Sequence, residues 1–296
     1  MNQPHSQVHL QQVLDHAVRQ TLADFANVKL WPEELAVTLV DLRDPGAPVR
    51  ASYRGDVPIY PASVIKLFYL QAVHAWLERG ELADTPELRR ALHDMIVYSY
   101  NEATSYIVDL LTGTTSGPEL APEELAVWQE RRNAVNRYFN SLGYTGINVN
   151  KKPWGEGPYG RETQAMAAFE PKRNWLTTDA AARILVEIVT GRAVSAERSH
   201  QMLDLLKRDF SSAGENASLA ASGHEDQARE FTARGLPANA RLWSKAGYTS
   251  ACRHDAAYIE LPSGHRLVLV TFTVNHSAEK EIIPCVIRLV IKGIAG

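Results

Sequence analysis

Residues Ser63 to Glu78 read SVIKLFYLQAVHAWLE, an almost unbroken apolar run with Pro61 just ahead of it and Gly80 just after. Proline near a helix start and glycine past its end are start and stop signals, so the run predicts a buried helix. Its first residues, Ser63-Val64-Ile65-Lys66, form an S-x-x-K. Positions i and i+3 share one helix face with Cβ atoms about 5–6 Å apart, which puts Lys66 within reach of the Ser63 hydroxyl. A serine hydroxyl is a poor nucleophile until a neighbour takes its proton, and a desolvated lysine with a lowered pKa can do that. The helix start adds a dipole that favours developing negative charge. The pattern by itself is not specific: Ser277-Ala278-Glu279-Lys280 fits it too, with no partner motif downstream.

Outward from this helix, Leu88 to Leu111 reads as one or two helices around Ser99-Tyr100-Asn101, an S-x-N at a helix junction. A second hydroxyl there can shuttle a proton to a leaving nitrogen, and the amide can hold a lysine and a substrate. Upstream, Val8, Leu14, Val18, Leu22 and Phe25 recur at helical spacing, and Leu35 to Leu42 is a strand with Val49 to Tyr53 as its antiparallel partner. Downstream, Pro122 to Leu142 is helical. Residues 143–176 are rich in glycine and proline and show no period, which is the mark of a functional loop. Helices are expected over Thr177 to Val189 and Ser199 to Lys207, and residues 211–240 are small and polar, as on a surface. Trp243-Ser244-Lys245-Ala246-Gly247 then leads into a strand over Tyr248 to Asp255. Further strands over Ala256 to Leu261 and Arg266 to Val274 and a helix over Lys280 to Ile294 close the chain. A lysine beside a glycine on such a strand can hold a substrate carboxylate while the bare backbone lets the substrate lie along the edge.

This order predicts an α+β fold: an antiparallel sheet flanked by N- and C-terminal helices, plus an inserted all-helical subdomain. One catalytic domain over 1–296 is expected, its α/β part about 1–60 and 200–296 and its helical part about 61–199. The composition is that of an ordinary globular protein: 296 residues, 45% hydrophobic, 22% charged, with a net charge of −3. It excludes disorder and disulfide-scaffold classes, and the absence of a basic footprint argues against nucleic-acid partners. Cys252 and Cys285 read as small buried side chains. No stretch approaches roughly 18 apolar residues, so no membrane association is expected. The N-terminus lacks the marks of a secretory signal, which as written predicts a cytoplasmic protein, or a periplasmic or secreted one if a leader was removed; the sequence leaves the oligomeric state open, with a monomer favoured.

With its three motifs in this order, the chain resembles the serine β-lactamase and penicillin-binding-protein family, in particular class A β-lactamases, whose motifs are S-x-x-K, S-D-N or S-x-N, and K-T-G. LRRALHDMIVYSYNEATSYIVDLL looks like the family's helices around its second motif, NWLTTDAAARILVEIVTG like the helix after its catalytic loop, and LWSKAGYTSACRHDAAYIEL like its third strand. The resemblance implies that Ser63 is the acylated nucleophile, Lys66 its base, Ser99 a proton relay and Asn101 a positioning group. It further implies an oxyanion hole from the N–H groups of Ser63 and Tyr248, close approach of substrate at Gly247, substrate orientation by Lys245, and a carboxylate anchor at Arg253. There are departures. No E-x-x-L-N, the family's deacylating loop, occurs; Glu162 is the best-placed substitute, with Glu156 and Glu170 as rivals. The third motif reads K-A-G, losing a hydroxyl at Ala246, and the Ser63-to-Ser99 spacing is short by class A standards.

Other patterns carry less. Gly155 to Gly160 fits G-x-G-x-x-G, but KKPW precedes it and Pro158 removes an N–H donor, so no dinucleotide is expected. The histidines show no metal-ligand spacing. His254-Asp255 lies in a strand, where neighbours face opposite ways, so it does not complete a triad with Ser63. The expected function is a cofactor-free serine hydrolase acting through an acyl-enzyme on a small-molecule β-lactam or related amide. The alternatives are a cytoplasmic amidase or esterase on a small metabolite, and a domain that is acylated without turnover.

Overall fold

The computed structural model describes residues 3–154, 157–210 and 226–295. Its centre is a six-stranded antiparallel sheet in the order β2-β1-β6-β5-β4-β3. The strands are β1 (Leu35–Asp41), β2 (Val49–Tyr53), β3 (Lys207–Arg208), β4 (Arg241–Tyr248), β5 (Cys252–Glu260) and β6 (Arg266–Val274). β1 is buried at every position because helices cover both sheet faces. Ala36 and Val40 pack with the inserted helices, whereas Leu35, Val37 and Leu39 pack against α1 (Gln3–Asp24) and the last helix, Ile282–Ala295. Within α1 the buried face runs through Leu10, Leu14, Ala17 and Val18; Val8, expected on it, is 58% exposed.

Between β2 and β3 lie α2 (Lys66–Glu78), α3 (Pro86–His93), α4 (Asn101–Thr112), α5 (Pro122–Arg132), α6 (Ala134–Ser141), α7 (Arg161–Ala168), α8 (Thr178–Val189) and α9 (Ala196–Leu206); the Ile282–Ala295 helix is α10. Thr85, Thr177 and Ser195 cap α3, α8 and α9 through their side-chain oxygens, which accept from the N–H three residues on. The family-like α+β architecture is therefore present, with local corrections. The segment expected to be one helix over 122–142 is two. The loop over 143–176 contains α7. The strand expected at Tyr248 to Asp255 is instead a hairpin: the K-A-G triplet lies inside β4, the chain turns at Thr249–Ala251, and β5 returns. Thr249 Oγ1 accepts from Ala251 N–H at 3.1 Å and Thr249 N–H donates to Cys252 O at 3.0 Å, which closes that turn. The small polar segment expected at the surface over 211–240 lies outside the described residues as far as 225.

Candidate active site

Ser63 sits in a 3₁₀ turn, Ala62–Ile65, that runs directly into α2. Side chains three apart eclipse in such a turn, so Ser63 and Lys66 project to the same side. Ala62 holds φ 45°, a left-handed conformation unusual for a residue with a Cβ. Ser99 holds φ 63° where a π-helical turn, Asp94–Tyr98, ends and α4 begins. Strained backbone of this kind costs of order 1–3 kcal/mol per residue and clusters at functional sites. Here it stands immediately before one motif serine and on the other.

Lys66 is fully buried and joins the first two motifs. Its Nζ donates to Ser99 O at 2.6 Å, to Ser99 Oγ at 3.1 Å and to Asn101 Oδ1 at 3.0 Å. Burial, only partly opposed by the Glu102 carboxylate, lowers its pKa from 10.5 to about 7. A large share of such an amine is neutral at physiological pH and able to accept a proton. Ser63 itself is half-buried.

β4 brings the third motif to the same place. Among the described residues β3 pairs with Trp243 and Leu242, and the motif follows them along β4. There Gly247 packs so tightly on the Ser63 turn that a Cβ would lie 2.7 Å from Ser63 N and 2.8 Å from Pro61 O. Only glycine permits that approach. Arg208, buried on β3, donates to Ser244 O at 2.7 Å and to Ile96 O at 3.0 Å, tying the strand to the π-turn before Ser99. Lys245 is fully buried: its Nζ donates to Gln227 Oε1 and to Ala246 O, both at 2.7 Å. Burial and the nearby Lys66 and Arg208 charges push its pKa well down, against the pull of Asp255. It is therefore buried against Gln227 and not exposed to hold the substrate carboxylate expected of it.

Two expected site residues lie elsewhere. Arg253 faces Tyr248 across the β4–β5 ladder, on the sheet side lined by Phe231, Ala246 and Ile283. Its guanidinium lies 4.0 Å over the Phe231 ring and 3.7 Å from Glu230, and it is 2% exposed, so it does not anchor a ligand at Ser63. Tyr248 turns its side chain to the same far side and offers the site only its backbone. Glu162, expected as the water-activating base, is buried in an ion cluster instead. Arg132 donates to its two oxygens at 2.9 and 2.8 Å, Ser116 Oγ at 3.0 Å, and Lys152 lies 3.6 Å away. Both carboxylate oxygens are thus engaged by a buried guanidinium. Glu156 lies outside the described residues, as does Gly155 of the G-x-G-x-x-G. Ser277 of the second S-x-x-K gives its hydroxyl to Ser250 O at 2.7 Å. His254 and Asp255 face opposite ways: the His254 ring packs on Phe272 and bonds Tyr60 O, while Asp255 accepts from Thr232 N–H.

One loop was under-read. Glu170-Pro171-Lys172-Arg173-Asn174 departs from E-x-x-L-N only in carrying Arg for Leu. Asn174 is buried, donating to Lys151 O at 2.6 Å and accepting from Lys151 N–H at 2.9 Å, while the Glu170 side chain is 76% exposed and 3.7 Å from Lys172. Lys172, Arg173 and Asn174 line a cavity of about 500 Å³ together with Ile59 and Tyr60, just upstream of Ser63, and Thr249 to Cys252, just beyond Gly247.

Three motifs from distant parts of the chain meeting at one strand edge, on this α+β frame, define a β-lactamase-like hydrolase. The chain belongs to the beta-lactamase enzyme family, whose sequence model matches residues 82–289. The fold is shared with the β-lactamase of Sphaerobacter thermophilus (23% identity, 88% of this chain and 91% of that one, TM-score 0.63). It is shared also with a β-lactamase from Chitinophaga pinensis (18% identity, 94% and 98%, TM-score 0.64) and with PBP-A (18%, 97% and 96%, TM-score 0.61). No curated protein matches.

Proposed function

We propose that the chain is a serine hydrolase that forms an acyl-enzyme at Ser63 with a β-lactam or a related amide, which water then releases. The observation that carries this reading is the single amine, Lys66 Nζ, in contact with both Ser99 and Asn101 while Gly247 abuts Ser63. Lys66 takes the Ser63 proton as Ser63 Oγ attacks the carbonyl carbon. The N–H groups of Ser63 and Tyr248 receive the oxyanion, and Ser99 passes the proton to the leaving nitrogen as the C–N bond breaks. Lys245 holds β4 from below through its bonds to Gln227 Oε1 and Ala246 O.

Glu170 is the deacylating base in this reading, in place of Glu162, because it opens the one E-x-x-x-N of the chain whose asparagine is built into the cavity wall. It must turn inward to act. Its exposed position favours slow release, and so supports the second reading, an acceptor that remains acylated. Purified protein mixed with a chromogenic cephalosporin separates the two. Colour beyond one equivalent, lost in Ser63→Ala, supports the hydrolase, with Glu170→Gln trapping the adduct. A one-equivalent burst supports the acceptor. No colour and no adduct refutes both, leaving an amidase or esterase of another substrate.

A further inference from the structure

The cavity between the segment leading to Ser63 and the β4–β5 turn, which Ser63 itself does not line, has an unbalanced charge. Four cationic residues line it, Lys151, Lys152, Lys172 and Arg173, and Tyr60, Trp154 and Met166 give it an apolar part. Lys152 Nζ is 2.8 Å from Asp109, and with Arg132 it balances Asp109 and Glu162. Lys172 is matched by Glu170. Lys151 and Arg173 have no carboxylate partner among the described residues. Lys151 is 6% exposed and its Nζ is buried without a hydrogen bond. Its backbone is clamped: Tyr69 Oη donates to Lys151 O at 2.6 Å, and the Asn174 amide bonds both its N–H and its O. The backbone that carries this charge is therefore fixed in the wall. A buried, unpaired ammonium is costly, and a group that pairs with it recovers that cost. Burial and Arg132 lower its pKa to about 8, which still leaves it mostly protonated at pH 7. Arg173, which also lines the cavity, lies over Tyr60 with its guanidinium 5.8 Å from the ring.

We propose that this cavity receives the acyl portion of the substrate and that this portion carries a carboxylate, seated between Lys151 and Arg173 with its apolar part against Tyr60 and Trp154. The volume suits a small ligand of that kind. The proposal rests on Ser63 as the site of acylation for its orientation, but its charge preference is testable without any acylation.

Calorimetry on the full chain carrying Ser63→Ala compares two amides, phenylacetamide and its α-carboxy derivative phenylmalonamate. Phenylmalonamate is expected to bind at least roughly tenfold more tightly. That advantage is expected to fall by more than half in Lys151→Met, and likewise in Arg173→Gln, an exposed position that keeps the test alive if Lys151→Met does not fold. Equal binding, undetectable binding of phenylmalonamate at millimolar concentration, or an advantage that survives both substitutions overturns the proposal. Acylation of the wild-type chain by benzylpenicillin and its α-carboxy derivative is followed in parallel by intact mass. A preference for phenylmalonamate with no adduct from either penicillin supports the anionic subsite and refutes acylation by β-lactams. Adducts from both at equal rates, with equal amide binding, do the reverse.

Discussion

Gly247→Ala tests the contact on which the site is built. The added Cβ would meet three backbone atoms of the nucleophile turn, Ser63 N at 2.7 Å, Pro61 O at 2.8 Å and Val64 N at 2.9 Å. Relaxed non-bonded contacts lie near 3.5 Å, so β4 and the turn must part by roughly 0.7 Å. No flexible side-chain end is there to give way. Overpacking of this kind costs about 1–3 kcal/mol, and in a chain this size each kcal/mol is worth about 2–4 °C in Tm. The effect on rate is larger in proportion, since misplacement of reacting groups by about 1 Å costs on the order of 100-fold. Stopped-flow acylation with a chromogenic cephalosporin should therefore fall by roughly 30- to 100-fold while Tm drops by only several degrees. Gly264→Ala is the control: its φ of 85° strains an alanine, but the position is open and lies in the β5–β6 turn, so it loses stability alone. Wild-type acylation in Gly247→Ala would refute the claim that this contact sets the geometry of Ser63.

Two further predictions concern the charges. Lys66 must be neutral to accept the Ser63 proton, and its pKa is depressed to about 7, so the acylation rate should rise with pH through about 7 and level off above it. A rate flat between about pH 5.5 and 8.5 would exclude Lys66 as the base, and Lys66→Arg, which cannot deprotonate, should abolish acylation. Glu162→Gln leaves the buried Arg132 and Lys152 with Asp109 as their one carboxylate among the described residues and should cost about 3–5 kcal/mol of stability, read by denaturant unfolding, while folded protein still turns over its acyl-enzyme. A stable Glu162→Gln protein that accumulates adduct would instead return Glu162 to the role of base.

The S-x-x-K, S-x-N and K-A-G residues were legible because each lies in a segment whose helical or strand character the local pattern announces. Their junctions were not. Nothing local in IVYSYN predicts a π-turn ending on a left-handed Ser99, because that geometry is imposed by packing and by Arg208 on Ile96 O. Arg253 was misplaced for a definite reason. Reading Tyr248 to Asp255 as one strand hid the turn at Thr249–Ala251, and without the register pairing Arg253 with Tyr248 its sheet face was undetermined. Glu162 stood out as a loop carboxylate because its partners, Arg132 and Ser116, are remote in sequence. Asking for leucine in the fourth position of E-x-x-L-N hid the loop that begins at Glu170, where Arg173 takes that place.

Acylation of Ser63 with the help of Lys66 is read by locating the adduct. Wild-type protein is incubated with benzylpenicillin, quenched in acid, digested, and mapped by mass. One penicilloyl group is expected on the peptide carrying Ser63 in the wild type or in Glu170→Gln, and none in Ser63→Ala or Lys66→Arg. An adduct on any other residue, or one that persists in Ser63→Ala, would contradict it.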